Sequence, residues 1–305
     1  MPVNRLFSLP LLAALLAGAT CAQAEVRVLT SIKPLQLIAA AVQDGVGQPD
    51  VLLPASASAH HYSLRPSDVR RLRDAELFYW IGPDLESFLP RALSAREGTT
   101  VAVQDLPKLT LRRFGDAHTH AEDDHHDHDH RPGSLDAHLW LLPANAVVIA
   151  ERMAADLAAA DPANAGRYQA NSSAFAERVE ALDGRLKQRF AKVQNKPFFV
   201  FHEAYDYFEA AYGLRHAGVF TAGGEAQPGA RHVAAMRERL QQAGPSCVFS
   251  EPPARPRLAE TLTAGLPVKM AELDVLGVGL PTDAKGYEQL LEGLGDTLAD
   301  CLESL

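Results

Sequence analysis

The sequence predicts an α/β fold of two lobes, each with a mostly parallel sheet flanked by helices, joined by one long helix. Short apolar runs that resemble strands alternate with helical runs in both halves of the 305-residue chain, and this alternation is typical of parallel α/β sheets. A long amphipathic stretch separates the halves. Parallel α/β sheets carry ligand groups just past the carboxyl ends of their strands, so we expect a site in the cleft between the lobes.

The first 24 residues are typical of a secretory signal peptide. Arg5 supplies the positive charge, residues 6–19 form the apolar stretch, and the triplet Ala-Gln-Ala that ends at Ala24 is a small-x-small cleavage site. The apolar stretch is too short to span a bilayer. Cys21 raises a lipoprotein as the alternative, although its neighbours fit a lipid-attachment motif poorly. We expect cleavage after Ala24 and export from the cytoplasm.

Charge and cysteine content narrow the class of protein. The formal net charge of −9 disfavours nucleic acid as a partner and suits attraction of cations. After cleavage two cysteines remain, Cys247 and Cys301, and an even pair in an exported chain predicts a disulfide. A role as metal ligands is the weaker alternative, because the two are far apart and no CxxC motif occurs. We expect a monomer.

The first lobe is predicted to comprise residues 25–160. Strand-like runs cover residues 26–30, 51–53, 77–81 and 99–103, and helical runs cover residues 35–42, 67–75, 84–95 and 145–157. A segment at residues 115–133 interrupts this pattern.

The interrupting segment combines imidazole and carboxylate groups without any apolar periodicity, so we expect a mobile loop. Such groups bind divalent cations. The loop is either a weak secondary collector of metal or a solvated insertion with incidental affinity. Its histidines are His118, His120, His125, His126, His128 and His130.

Residues 161–195 are predicted to form the linking helix. Asp161 and Pro162 are typical of a helix start, an apolar stripe follows at spacings of three and four residues, and Pro197 ends the pattern. The helix would be roughly 45–50 Å long. The second lobe, residues 196–305, repeats the alternation, with strand-like runs at 198–201, 247–250 and 268–273 and helical runs at 204–212, 232–243, 258–264 and 287–302.

Polar groups that could bind a ligand stand at the ends of predicted strands or beside them. His60 and His61 follow the second strand, His138 lies in the segment DAHLW, His202 directly follows a buried strand, and Asp274 follows the last strand. A histidine beside an apolar strand is often only a hydrogen-bonded structural residue, and an aspartate there can be a turn residue. Spacing alone does not show that these groups converge.

Several motifs resemble one family closely. The runs AHHYSLRPSDVRRLRDAELFYWIGPDLESFL, DAHLWLLPANA, FFVFHEAYDYFEAAYGL, CVFSEPPARP and LDVLG, with the acidic, histidine-rich insertion, resemble the periplasmic zinc-binding proteins of ABC importers, the ZnuA type of the cluster A-I solute-binding proteins. The resemblance covers essentially the whole mature chain. It implies capture of Zn²⁺, delivery to a membrane permease, and a disulfide between the two mature cysteines.

When the family's ligand positions are matched to this sequence, the resemblance implies that His60, His138 and His202 are the zinc ligands and that Asp274 completes the shell. Some members place a glutamate before the first histidine, where this chain has Ala59. The fourth ligand is therefore open among Asp274, His61 and a water molecule.

Alternatives to a zinc carrier differ in their ligands or in their chemistry. A manganese-binding relative of the same family is the closest alternative. Three imidazoles nevertheless suit tetrahedral Zn²⁺ better than Mn²⁺, which prefers more carboxylate. A zinc hydrolase is less well supported: His202 and Glu203 begin an HExxH pattern, but Asp206 stands where its second histidine should be. We expect binding rather than catalysis. A secreted zinc buffer without a transporter is the third alternative.

Overall fold

A computed structural model of the chain describes residues 25–54, 57–115, 133–220, 230–252 and 257–305. The predicted signal peptide and the six loop histidines lie outside the described residues. Within the described part, no helix is both long and apolar enough to cross a membrane.

Two four-stranded sheets form the framework, and every pairing between their strands is parallel. The strands are β1 Val28–Thr30, β2 Asp50–Val51, β3 Leu77–Trp80, β4 Thr99–Ala102, β5 Phe198–Val200, β6 Gly218–Val219, β7 Ser246–Ser250 and β8 Val268–Glu272. The orders are β2-β1-β3-β4 and β6-β5-β7-β8, so both sheets share one topology. This confirms the predicted α/β class with two parallel sheets.

Helices connect and cover the strands. They are α1 Lys33–Val42, α2 Pro66–Asp74, α3 Pro90–Leu93, α4 Pro143–Ala160, α5 Ala165–Phe190, α6 Asp206–Tyr212, α7 Ala230–Ala243, α8 Arg257–Thr263 and α9 Gly286–Glu303. Short 3₁₀ turns occupy Val103–Asp105, Leu139–Leu141 and Pro162–Asn164.

The helix α5 lies between the two sheets in the chain and is shorter than the predicted linking helix. Its 26 residues correspond to about 39 Å, because Pro162–Asn164 form a 3₁₀ turn and the helix ends at Phe190. The predicted apolar stripe is buried, and α5 packs on α4 and also contacts α1 and α9. It therefore touches helices that belong to both lobes.

Alternate residues of β5 serve two different cores. Phe198 and Val200 point into the large apolar cluster, which runs through both lobes. Phe199 faces the smaller cluster, where it meets residues such as Met236 and Leu240 of α7. This alternation is what a strand covered on both faces requires.

The predicted disulfide is present. Cys247 of β7 and Cys301 of α9 are bonded, with their Cα atoms 6.2 Å apart and a separation of 54 in the sequence. In the chain-entropy model a loop of that length stabilises the fold by about 4 kcal/mol. The bond attaches the C-terminal helix to the second sheet.

Residues 84–95 do not form the predicted continuous helix, and only Pro90–Leu93 are helical. The reason lies with Glu86, whose buried carboxylate accepts hydrogen bonds from the Ser31 hydroxyl and from the backbone N–H groups of Ile81 and Gly82. Burial raises the pKa of Glu86 to about 7, although these donors oppose the shift. The backbone around Glu86 adopts the conformation that allows these hydrogen bonds, and that conformation is not helical.

Hydrogen bonds join the two halves around the 3₁₀ turn Leu139–Leu141. The Trp140 indole donates to the Val275 carbonyl (2.9 Å), and the Tyr287 hydroxyl donates to the Trp140 carbonyl (2.7 Å). The Tyr207 hydroxyl donates to the Asp136 carbonyl (2.9 Å). These buried contacts brace the segment that carries His138 against the second half.

Candidate metal centre

His60 reaches the centre from the loop that follows β2. The hydroxyl oxygen of Ser58 accepts hydrogen bonds from the backbone N–H groups of His60 (3.2 Å) and His61 (3.3 Å), which shapes a tight turn. The turn buries His60, which is 8% exposed, and leaves His61 exposed. The two adjacent histidines therefore have different environments.

His138 is held by Asp136, two residues earlier. One carboxylate oxygen of Asp136, Oδ1, accepts from the backbone N–H of His138 (3.0 Å) and lies 2.7 Å from the ring Nδ1. Both residues are buried. Since Nδ1 donates to the carboxylate, the ligand role falls to Nε2.

His202 is held in the same way from the second lobe. It follows β5, and its Nδ1 lies 3.1 Å from Oε2 of Glu251, which directly follows β7. β5 and β7 are neighbours in the second sheet, so their carboxyl ends present the histidine and its carboxylate partner at one edge. The ligand role again falls to Nε2.

The three histidine side chains meet between the lobes. Their ring centres are 5.4 Å apart for His60 and His138, 5.4 Å for His60 and His202, and 4.8 Å for His138 and His202. Each offers a ring nitrogen within 4.8 Å of the others. Three imidazoles bound to one tetrahedral Zn²⁺ at about 2.0–2.1 Å would have ring centres about 5 Å apart, so the arrangement fits a single shared ion.

The electrostatics of the centre favour a neutral ligand at His60. Burial, with added repulsion from His202 and His61, lowers the pKa of His60 to about 3. The imidazole is therefore unprotonated at neutral pH, which is the state that binds a metal ion.

Asp274 and His61, the predicted candidates for a fourth ligand, are not part of the group of three. Asp274 lies just past β8, and its Oδ1 accepts hydrogen bonds from the backbone N–H groups of Leu276 (3.0 Å) and Gly277 (2.8 Å). Burial and the nearby Glu251 raise the pKa of Asp274 despite those donors. The His61 ring centre is 6.4 Å from that of His60. The identity of the fourth ligand stays a prediction.

The two ends of the histidine-rich segment pair with each other close to the centre. Arg113 and Leu135 form an antiparallel bridge, and the N–H of Phe114 donates to the Ser134 carbonyl at 3.0 Å. The N–H of Asp136, which holds His138, donates to the Arg112 carbonyl in the same ladder. The segment therefore begins and ends beside this ladder, and its C-terminal end is three residues before Asp136.

Sequence reasoning missed two kinds of residue. The carboxylates that orient the histidines, Asp136 and Glu251, were not predicted, although Glu251 stands at the carboxyl end of a strand where such groups gather. A second group with metal-ligand chemistry, Asp206, Glu209 and His216, was also missed. A pair of carboxylates three residues apart on a helix was the available signal.

Two parallel α/β lobes with clustered imidazoles between them define a metal-binding protein of the solute-binding class. More narrowly, the chain belongs to the family described as "ZnuA: Zinc-uptake complex component A periplasmic", whose model matches residues 28–301.

Individual relatives agree with this family. The chain is 39% identical over 293 residues to the high-affinity zinc uptake system protein ZnuA of Yersinia pestis, covering 92% of each chain. It is 35% identical over 332 residues to the protein of the same name from Brucella abortus, covering 98% of this chain and 99% of the relative. A solved structure described as "Crystal structure of ZnuA" is similar in fold, with a TM-score of 0.76, 21% identity, and coverage of 92% and 100%.

Proposed function

We propose that the chain captures Zn²⁺ in the periplasm and delivers it to the membrane permease of an ABC-type zinc importer. The observation that carries the proposal is the spacing of the three imidazole rings, 4.8–5.4 Å between centres. The relatives from Yersinia pestis and Brucella abortus are named as zinc uptake proteins, which supports the same cargo and the same transport role.

The ligand set favours zinc over manganese. His60, His138 and His202 are nitrogen donors, and Zn²⁺ accepts three imidazoles readily, whereas Mn²⁺ prefers oxygen. Asp274 is proposed to supply an oxygen when the ion is present, with a water molecule or His61 as the alternatives. The chain's role is to hold the ion and not to break bonds.

The proposed division of the chain follows its sheets. Residues 25–160 would form the first lobe, residues 161–195 the linking segment and residues 196–305 the second lobe, after removal of residues 1–24. Because α5 and the hydrogen bonds around Trp140 join the lobes, we expect only modest movement of the lobes on zinc release. X-ray scattering profiles of the zinc-free and zinc-bound chains should then differ little, and a large closure would contradict this.

The histidine-rich segment is proposed to act as a weak collector of zinc. Its roots lie beside Asp136 and His138, so ions bound to His118, His120, His125, His126, His128 or His130 would be concentrated near the centre. Replacing all six by alanine should remove weak sites in a calorimetric zinc titration and leave one tight site. Loss of the tight site would contradict this role.

A matched pair of variants tests the proposed function. His202→Ala removes one of three nitrogen ligands and should weaken zinc binding about 100- to 1,000-fold, measured by competition with a chelator of known affinity. His61→Ala is the comparison, since it removes an exposed neighbouring imidazole that is only an alternative for the fourth position, and it should lower the affinity far less than His202→Ala does. Equal affinities for the two variants would overturn the assignment.

A further inference from the structure

A second group of possible metal ligands lies inside the second lobe. Asp206, Glu209 and His216 each present a ligand atom within 4.8 Å of the others, and their exposures are 3%, 3% and 5%. Asp206 and Glu209 stand three residues apart on α6 and therefore share one face of that helix.

The turn after α6 returns His216 to that face. Gly213 ends the helix with a φ of +65°, a conformation that suits glycine. The N–H of Leu214 donates to the Glu209 carbonyl (2.9 Å), and the N–H of His216 donates to Oε2 of Glu209 (3.2 Å). The His216 ring then lies with its Nδ1 2.7 Å from Oε1 of Glu209.

The surroundings of this group carry an excess of buried negative charge. Asp136 and Glu203 are also buried, and Asp136 lies close enough to Asp206, Glu203 and Arg112 to interact with them electrostatically. Burial alone would lower the pKa of His216, but the carboxylates around it raise that pKa. Buried carboxylates are costly unless a cation compensates them, so the region favours positive charge.

A further oxygen in this region has no hydrogen-bond partner among the described residues. Oδ2 of Asp136 is buried and accepts no hydrogen bond from the described residues, while its Oδ1 serves His138. Such an orphaned acceptor is unusual in a protein interior. It is consistent with a cation near the carboxylates.

We propose that Asp206, Glu209 and His216 form a second divalent-cation site, separate from the three-histidine centre and richer in oxygen. Two carboxylates and one imidazole suit a first-row ion such as Zn²⁺ or Mn²⁺. When the ion binds, the proton on Nδ1 of His216 is released to solvent and the ion takes its place. The distance from that nitrogen to Oε1 of Glu209 then grows from 2.7 Å to about 3.4 Å, the separation of ligand atoms around tetrahedral zinc. The competing state is a protonated His216 paired with Glu209.

Counting bound ions tests the second site. The starting protein is the full chain in which eight histidines are replaced by alanine. These are the six loop histidines and two ligands of the centre, His60 and His138. After dialysis against Zn²⁺ or Mn²⁺, elemental analysis should find one ion per chain, and adding Asp206→Asn should remove it. Asp300→Asn is the matched control, since Asp300 is an exposed carboxylate on α9, and should leave the count unchanged.

Zero ions in the starting protein, with a native circular dichroism spectrum, would overturn the second site. Because substitutions can disturb folding, the unsubstituted chain supplies a second measurement, the anomalous scattering of crystals soaked in Mn²⁺. A peak among Asp206, Glu209 and His216 is the expected result, and an empty cluster contradicts the proposal. Neither outcome bears on the three-histidine centre, which the His202→Ala measurement tests separately.

Discussion

The two groups of metal-ligand side chains differ in how the fold assembles them. His60, His138 and His202 come from distant parts of the chain and meet between the lobes. The group of Asp206, Glu209 and His216 comes from one helix and the turn after it. The first offers nitrogen only, and the second offers mainly oxygen.

The two groups also differ in the protonation state that their surroundings favour for the histidine. In the histidine centre, burial keeps His60 neutral and ready for a cation. In the carboxylate group, negative charge surrounds His216 and favours its protonated form. A neutral His60 accepts a metal ion with little competition from protons, whereas a protonated His216 releases its proton before it binds an ion.

The largest expected effect comes from removing a histidine of the centre. His138→Ala should weaken tight zinc binding about 100- to 1,000-fold, because one of three nitrogens is lost and Asp136 loses its partner. Chelator competition measures this affinity. The paired variant Asp206→Asn should leave the tight affinity within a few-fold of the unsubstituted chain. If Asp206→Asn weakens it as much as His138→Ala, the two groups are not independent.

A smaller effect is expected from the carboxylates that orient the histidines. Asp136→Asn and Glu251→Gln should each weaken zinc binding about 10- to 100-fold, since such partners fix the ring orientation and raise ligand basicity. Glu292→Gln, an exposed carboxylate on α9, is the control and should have no effect. Unchanged affinity in Glu251→Gln would mean that the 3.1 Å contact with His202 does not support the centre.

The pH dependence should separate His60 from His216 without any substitution. A free histidine titrates near 6.5, whereas the pKa of His60 in the folded chain is about 3. As the pH falls, the unfolded chain therefore takes up a proton at His60 before the folded chain does. His60 therefore costs stability as pH falls from about 6.5 towards 3, by up to about 1.4 kcal/mol per pH unit.

His216 has the opposite sign. Its folded pKa is raised, so its contribution is fully present below the unfolded pKa and is lost as pH rises through the folded value. An NMR titration of the zinc-free chain should show the His60 ring signals unchanged between pH 7 and pH 5, and the His216 signals shifting above pH 6.5. Titration of both near pH 6.5 would remove the electrostatic contrast between the groups.

The smallest expected effect concerns the fourth ligand. Asp274→Asn should lower zinc affinity less than removal of any histidine, by about 10-fold if its carboxylate joins the shell, because its Oδ1 is already engaged by two backbone N–H groups. His61→Ala provides the comparison in the same competition assay. A larger loss in His61→Ala than in Asp274→Asn would assign the fourth position to His61.

The α/β class and the disulfide were predictable from the sequence, and the three histidines could be singled out in it as candidates, but for different reasons. Strand runs and cysteine pairs are local or compositional signals, whereas the histidines were singled out by their positions after or beside strands and by family resemblance. Convergence of His60, His138 and His202 within 4.8 Å is a property of the tertiary fold. No spacing in the sequence encodes it.

Other features could not be predicted because tertiary contacts override local pattern. Residues 84–95 have a helical pattern, yet Glu86 turns inward to bind Ser31 and backbone donors, and the helix is limited to α3. Asp206 and Glu209 resemble the polar face of a surface helix, and only their burial distinguishes them. The two-residue strand β6 is too short to give a periodic signal.

The most direct test of the account is a crystal structure of the zinc-loaded chain with diffraction data collected above and below the zinc absorption edge. We expect one strong anomalous peak about 2.0–2.1 Å from a ring nitrogen of each of His60, His138 and His202. A peak bound by only one or two of these imidazoles, or none between the lobes at saturating zinc, would contradict the shared three-histidine centre.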